Sequence, residues 1–232
     1  LREVLRTAKK KELRGGFNKK FNASDKYLTA NARSFLRDVR LEQVYKSLST
    51  GLFEVLSVDF FDTLVGRFTQ QPKDVFHLIA RKLKASGLLR ANCSESVFVT
   101  LREEAELRAR VDLYERSMSM ECRLDEIYGI LSGFVVDVPR AIEIEIEAER
   151  ALCFLNRGLA TLVDWFVEMG GRVVVASDMY LPERALRDIL SSNGFDAGRF
   201  ERIFVSSHYR KSKHAGDLFD QIMSECNVSA EQ

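Results

Sequence analysis

Three stretches of the chain share one pattern: a short apolar, β-prone run that breaks abruptly into polar residues. The first, Val55-Leu56-Ser57-Val58, ends at Asp59 and leads into Phe60-Phe61-Asp62-Thr63-Leu64. The second, Val173-Val174-Val175-Ala176, ends in Ser177-Asp178, and the third, Ile203-Phe204-Val205, ends in Ser206-Ser207. Runs of this length and composition read as buried parallel strands. Around them, apolar positions recur at helical spacing and predict helices over 74–84, 97–114, 124–131, 139–155, 161–169 and 183–192. Pro182 suits the first turn of the last of these, and Asn193-Gly194 its C-terminal stop. Residues 142–147 alternate Ile and Glu like a strand. Pro139 as a start, with Ala148, Leu152 and Leu155 continuing a helical stripe, decides for helix.

Strands alternating with helices predict an α/β fold, a three-layer Rossmann-like core around a parallel sheet. More than a hundred residues separate the first two strands, too many for one crossover helix. A helical cap inserted over 71–155 is therefore expected, with the core in 51–70 and 156–232. Crossovers of this kind are right-handed. They bring the carboxyl ends of the strands to one edge, where open α/β sheets bind their ligands.

That edge would carry Asp59, Ser177 and Lys213, the lysine opening the helix after the third strand. Carboxylate, hydroxyl and lysine form an anion-handling set that serves attack, hydrogen bonding and charge neutralisation. Taken alone, Asp59 reads rather as the cap of the following turn.

Asp59 through Thr63, Ser177 and Lys213 match the first three motifs of the haloacid dehalogenase (HAD) superfamily, which the chain resembles. Asp-Phe-Phe-Asp-Thr-Leu, Ser-Asp-Met-Tyr-Leu-Pro and Lys-His-Ala-Gly-Asp-Leu-Phe are similar to a bacterial subgroup associated with, or fused to, glycosyltransferases of surface-polysaccharide synthesis. The likeness spans about 53–226. It implies a hydrolase, a phosphatase of a small phosphorylated metabolite or sugar phosphate, working through an aspartyl-phosphate on Asp59. Ser177 would bind phosphoryl oxygens and Lys213 neutralise charge, with Thr63, Asp178 and Arg102 near the substrate. Mg²⁺ would be held by Asp59, the Phe61 carbonyl and an acidic residue of a fourth motif, expected just beyond Gln232. The chain is accordingly expected to be a fragment that continues in both directions. A fused or neighbouring glycosyltransferase is the partner this likeness implies.

One departure stands out. HAD phosphatases carry a second aspartate, a general acid and base, where this chain has Phe61. Asp62, one residue later, either braces the loop through backbone N–H groups or carries protons in its place. Dehalogenase-type members also lack the second acid. A metal-independent displacement, or a weakly active module that scaffolds a glycosyltransferase, are the alternative readings.

Net charge is +1, yet residues 1–50 hold 13 basic and 5 acidic side chains, a net of +8, leaving −7 for the remainder. This basic helical segment reads as a solvated linker, or as a peripheral contact with an anionic membrane surface. Aromatic residues are too sparse within it for nucleic-acid stacking. No apolar run has membrane-spanning length, and four widely spaced cysteines suggest neither a metal cluster nor a disulfide framework, so a reducing cytoplasm is expected. His77 is expected to pack on the apolar side of its helix, and Trp165 in the core. Arg102, Glu103, Glu104 and Glu106 read as a solvated face. The resemblance alone makes Arg102 and Glu106 candidates to face the site.

Overall fold

The computed structural model describes residues 39–228. Alternation within the three predicted strands organises it. β1 (Val55–Asp59), β4 (Arg172–Ser177) and β5 (Arg202–Val205) form a parallel sheet in the order β1-β4-β5. Leu56, Val58, Val173, Val175, Ile203 and Val205 point to one face and join the main core. Val55, Val174, Ala176 and Phe204 point to the other, where they meet Leu218, Ile222 and Cys226. A strand with two buried faces favours apolar residues at nearly every position, hence the largely apolar runs, with Ser57 the polar exception inside β1. The protein is thus a mixed α/β fold with helices on both faces of a parallel sheet.

The first face is covered by α6 (Arg157–Glu168) and α7 (Glu183–Ser192), the second by α9 (Asp217–Cys226). α1 (Val39–Leu48) packs on α6, burying Val44 and Leu48 and setting Tyr45 against Trp165 at 4.4 Å between ring centres. The C-terminal end of the basic segment is therefore part of this packed unit. Residues 1–38, with the expected linker or membrane contact, lie outside the described residues.

Five α-helices stand between the first two strands of the sheet: besides α6 these are α2 (Val75–Ala85), α3 (Glu95–Ser117), α4 (Leu124–Ile130) and α5 (Val138–Leu152). α2 packs on α3 and α5, α4 on α3 and α5, and α5 on α7. Side-chain caps move several ends beyond their expected positions. Ser94 accepts from Val97 N–H and starts α3 early, and Asn156 accepts from Leu159 N–H and starts α6 at Arg157. The Ile-Glu alternation is helical, with Asp137 capping Arg140 N–H. That helix stops at Leu152, however, short of the expected residue 155. Cys153–Leu155 form β3, antiparallel to β2 (Val65–Arg67), so a two-stranded ribbon exists that periodicity alone does not reveal. The ribbon offers these backbone groups cross-strand partners, and Phe68 N–H bonds Leu152 O at 2.9 Å.

Two further expectations are corrected. His77 is exposed, because Val75, Phe76, Ile79, Ala80 and Leu83 take the buried face of α2. Arg102 lies on no solvated face: its side chain is 0 % exposed. Among the described residues, no helix is long and apolar enough to cross a membrane. The four cysteines are free and buried, and burial pushes Cys122 up to about 11 and Cys153 to about 12, which keeps both as thiols near neutrality.

Candidate active site

β1 and β4 pair in register with Asp59 beside Ala176, and β4 pairs with β5 with Ser177 beside Val205. Asp59 and Ser177 therefore stand at the same end of neighbouring strands, as the parallel-sheet argument requires. Lys213 arrives from the turn between α8 (Ser206–Tyr209) and α9. It does not open a helix as expected. Left-handed Arg210 and Gly216 bend the chain first, and α9 begins only at Asp217. Lys213 Nζ nevertheless reaches Asp59 Oδ1 at 2.6 Å, across 154 positions of sequence. Thr63 Oγ1 donates to the second oxygen, Oδ2, at 3.1 Å. The Asp59 carboxylate is so oriented from two sides, with its side chain 29 % exposed.

The loop after β1 is held by its own backbone. Asp62 N–H bonds Val65 O, Val65 N–H bonds Phe60 O, and Leu64 N–H bonds Asp59 O. Closing so tight a loop puts Asp62 at φ 59°, a left-handed conformation that aspartate tolerates better than most residues. Asn156 secures the far side, its Nδ2 donating to Thr63 O and its N–H to Leu64 O. The Asp62 carboxylate is exposed and accepts no hydrogen bond among the described residues, so the bracing expected of that side chain is done by backbone instead.

Ser177 is 2 % exposed, and its hydroxyl has no hydrogen-bond partner among the described residues. Asp178 turns both carboxylate oxygens to Lys213 N–H, at 2.9 and 3.1 Å, and so fixes the lysine turn. Ser206 receives Met179 N–H and donates to Glu121 Oε2 at 2.6 Å, tying the end of β5 to the loop between α3 and α4. Burial raises the Glu121 carboxyl, against the lowering effect of the Ser206 bond, and neighbouring Asp178 and Asp217 raise it further.

A cavity of about 510 Å³ opens beside this edge, lined in part by α2, α3 and α5. Phe61, Asp62, Arg67, Phe76, Asp178 and Tyr180 contribute to its wall. Arg102 lies behind that wall. Its guanidinium bonds Glu145 twice, at 2.7 and 3.0 Å, and Glu106 at 3.2 Å, with the Phe76 and Tyr180 rings over its faces at 4.5 and 4.8 Å. Tyr128 donates to the same Glu145 at 2.8 Å. Burial works against the Arg102 charge, but Glu145 outweighs it and raises the guanidinium well above its ordinary value. At 0 % exposure behind the cavity wall, Arg102 is out of direct reach of a ligand in the cavity. It joins α2, α3, α4 and α5 to Tyr180, two residues beyond Asp178.

Arg67, Glu149, Glu121, Asn156 and Tyr180 were not expected at the site. Of these, Glu149 carried a readable signal. It follows Glu145 by four residues, on the same helical face as the apolar stripe, the arrangement of acids that need buried cations. The other four depend on tertiary placement. Among the described residues, no three His, Cys, Asp or Glu side chains are grouped to hold a metal. No protein-family model and no curated protein matches the chain.

Proposed function

We propose that the protein is a HAD-type hydrolase that cleaves small phosphate monoesters through an aspartyl-phosphate on Asp59. The observation that carries this reading is the Lys213–Asp59 contact at 2.6 Å, with the unpartnered hydroxyl of Ser177 at the end of the adjacent strand. A carboxylate aimed by a lysine and a threonine is preorganised for in-line attack on phosphorus. Asp59 Oδ forms the bond to phosphorus as the ester oxygen leaves. Ser177 then donates to a phosphoryl oxygen, and Lys213 offsets the charge accumulating between nucleophile and phosphoryl group. Water cleaves the acyl phosphate and restores Asp59. Asp178 acts at one remove by holding the lysine turn.

The residues fit Mg²⁺. The Asp59 carboxylate and the Phe61 carbonyl, which accepts no hydrogen bond among the described residues, are hard oxygen donors. Mg²⁺ typically takes only one or two carboxylates and completes its shell with water and phosphate. Bound there, it would neutralise phosphoryl charge. A fused or neighbouring glycosyltransferase remains the partner that the resemblance suggests.

Phe61 favours a second reading. Its ring lies against Arg67, 3.8 Å from guanidinium carbon to ring centre, so no acid occupies the position two residues after Asp59. A carbon-centred displacement by Asp59 needs neither that acid nor a metal. Phosphate release from an aryl phosphate, with and without EDTA, separates the two. The phosphatase reading expects turnover that EDTA abolishes and that Asp59→Asn lacks. Halide release indifferent to EDTA would favour displacement, and full biological activity in Asp59→Asn would favour a scaffold.

A further inference from the structure

The long helix α3 is apolar on two sides. Phe98, Ala105, Ala109 and Leu113 are buried together with Arg102, on the side that packs against α2 and α4. On the opposite side Leu107, Val111, Tyr114 and Met118 are exposed, Leu107 by 61 % and Met118, the left-handed cap of the helix, by 73 %. Their spacing of four, three and four residues is that of the a and d positions of a heptad repeat. Traced back along the helix, the same seam runs through Glu104, Thr100 and Val97, all exposed. Single apolar residues on a surface are ordinary, but a contiguous stripe marks a surface that something covers. At heptad spacing, that something is another helix.

Self-complementarity identifies the occupant. Two copies of α3 laid antiparallel about a two-fold axis bring a positions against d positions. With the axis between Asp112 and Leu113, Leu107 meets the partner's Met118 and Val111 meets the partner's Tyr114, so all four apolar side chains find apolar neighbours. In that register Arg108 flanks the seam opposite the partner's Glu115, and symmetry repeats the contact. Arg108 is 71 % exposed and paired only to Asp112, one turn along its own helix, at 2.7 Å, while Glu115 is exposed and without a partner among the described residues. Sliding the copies by one heptad would set Arg108 beside the partner's Arg108 and Tyr114 against the partner's Glu104. A parallel pair would stack Glu104 on the partner's Glu104 inside the seam. Both charge signs flank the stripe, which suits a copy of itself rather than the strongly basic residues 1–38.

We propose that α3 joins a second copy of the chain, antiparallel about a two-fold axis, through Leu107, Val111, Tyr114 and Met118, with Arg108 against the partner's Glu115. Such an isologous contact closes at two subunits. It is independent of the chemistry at Asp59, although Leu107 and Arg110 also line the cavity there, so the partner's Met118 stands at that cavity's edge.

Sedimentation velocity of the full chain over a concentration series tests the proposal. A reversible monomer–dimer equilibrium is expected, because one helix from each copy makes a small interface. Val111→Glu, on the exposed side of the helix, should raise the dissociation constant by roughly tenfold or more through burial of unpaired charge, with circular dichroism and melting temperature unchanged. Arg108→Glu should also weaken the dimer, by opposing two carboxylates, and adding Glu115→Arg should restore it. In a parallel pair the double variant would recover nothing, since the exchanged charges would then meet like charges at Glu103 and Arg110. A chain that is monomeric at every concentration, a dimer indifferent to Val111→Glu, or a double variant as weak as Arg108→Glu would each overturn the proposal. A monomeric chain in which Val111→Glu quickens hydrogen exchange within residues 1–38 would overturn it too, and would assign the seam to that segment.

Discussion

Asp59 and Arg102 are both charged, both tied to opposite charges, and differ in what their surroundings leave free. Asp59 keeps a partly exposed edge beside its partner Lys213, as a reacting group must. Arg102 is enclosed, with two glutamates, two aromatic faces and no solvent. Removal of Lys213 should therefore act on rate. Lys213→Ala is expected to lower kcat for an aryl phosphate by on the order of 10²–10³, the usual effect of losing one preorganised electrostatic partner, with little change in melting temperature. Arg102→Ala should act on stability, since it leaves Glu145 charged, buried and without its cation. Urea unfolding should show a loss of about 3–5 kcal/mol. Pairing Arg102→Met with Glu145→Leu should recover much of that loss, because the stranded charge goes with its partner.

At the scale of elements, close contacts between helices and strands set which substitutions the fold tolerates. Gly171 joins α6 to β4, and a Cβ there would strike the ring of Phe166, a core residue 1 % exposed. Gly171→Ala should destabilise the protein by about 1–3 kcal/mol, as overpacking of a filled core does, read as a lower melting temperature. Such elements were largely legible in the sequence. Short, largely apolar runs define β1, β4 and β5 because both of their faces are buried, and α7 matches its predicted bounds because Pro182 and Asn193-Gly194 punctuate it. Asp59 and Ser177 were legible at strand ends, and Lys213 beyond the third strand, though as the opening of a helix that in fact begins only at Asp217. The β2–β3 ribbon was not, since three residues are too few to display a period, and Cys153–Leu155 continue the apolar stripe of α5. Arg102 was misjudged for a related reason. A basic residue among Glu103, Glu104 and Glu106 looks solvated until Glu145, 43 positions away, is placed opposite it.

Across the whole molecule, the inserted helices are fastened to the sheet unit by acid–arginine clamps. Arg210, after β5, bonds Glu126 of α4 through both Nη groups at 2.8 Å, and Arg184 of α7 pairs with Glu143 of α5. Burial pushes the Glu126 carboxyl up, but Arg210 and Arg123 N–H outweigh it and hold it below the ordinary 4.5. Its partner Arg184 lowers Glu143 likewise. A carboxyl with a depressed folded-state value stabilises the fold above its unfolded value and loses that contribution as pH falls through the folded one. Glu121 and Glu149, raised by burial, act in the opposite sense, costing stability as pH rises through their folded values. Below about pH 4.5 the clamps should therefore weaken, and hydrogen-exchange protection in α4 and α5, corrected for the intrinsic rate at each pH, should fall ahead of protection in β1 and β4. Glu126→Gln should blunt that dependence, whereas protection unchanged between pH 6 and pH 3 would show that the clamps carry little stability.

The central claim concerns one covalent bond, and acid-quenched mass spectrometry of the protein reacting with a phosphate monoester tests it most directly. A single acid-stable, hydroxylamine-labile phosphoryl group on the peptide containing Asp59, absent from Asp59→Asn, is the predicted result. Turnover without such a group, or a phosphoryl group on another residue, would contradict it.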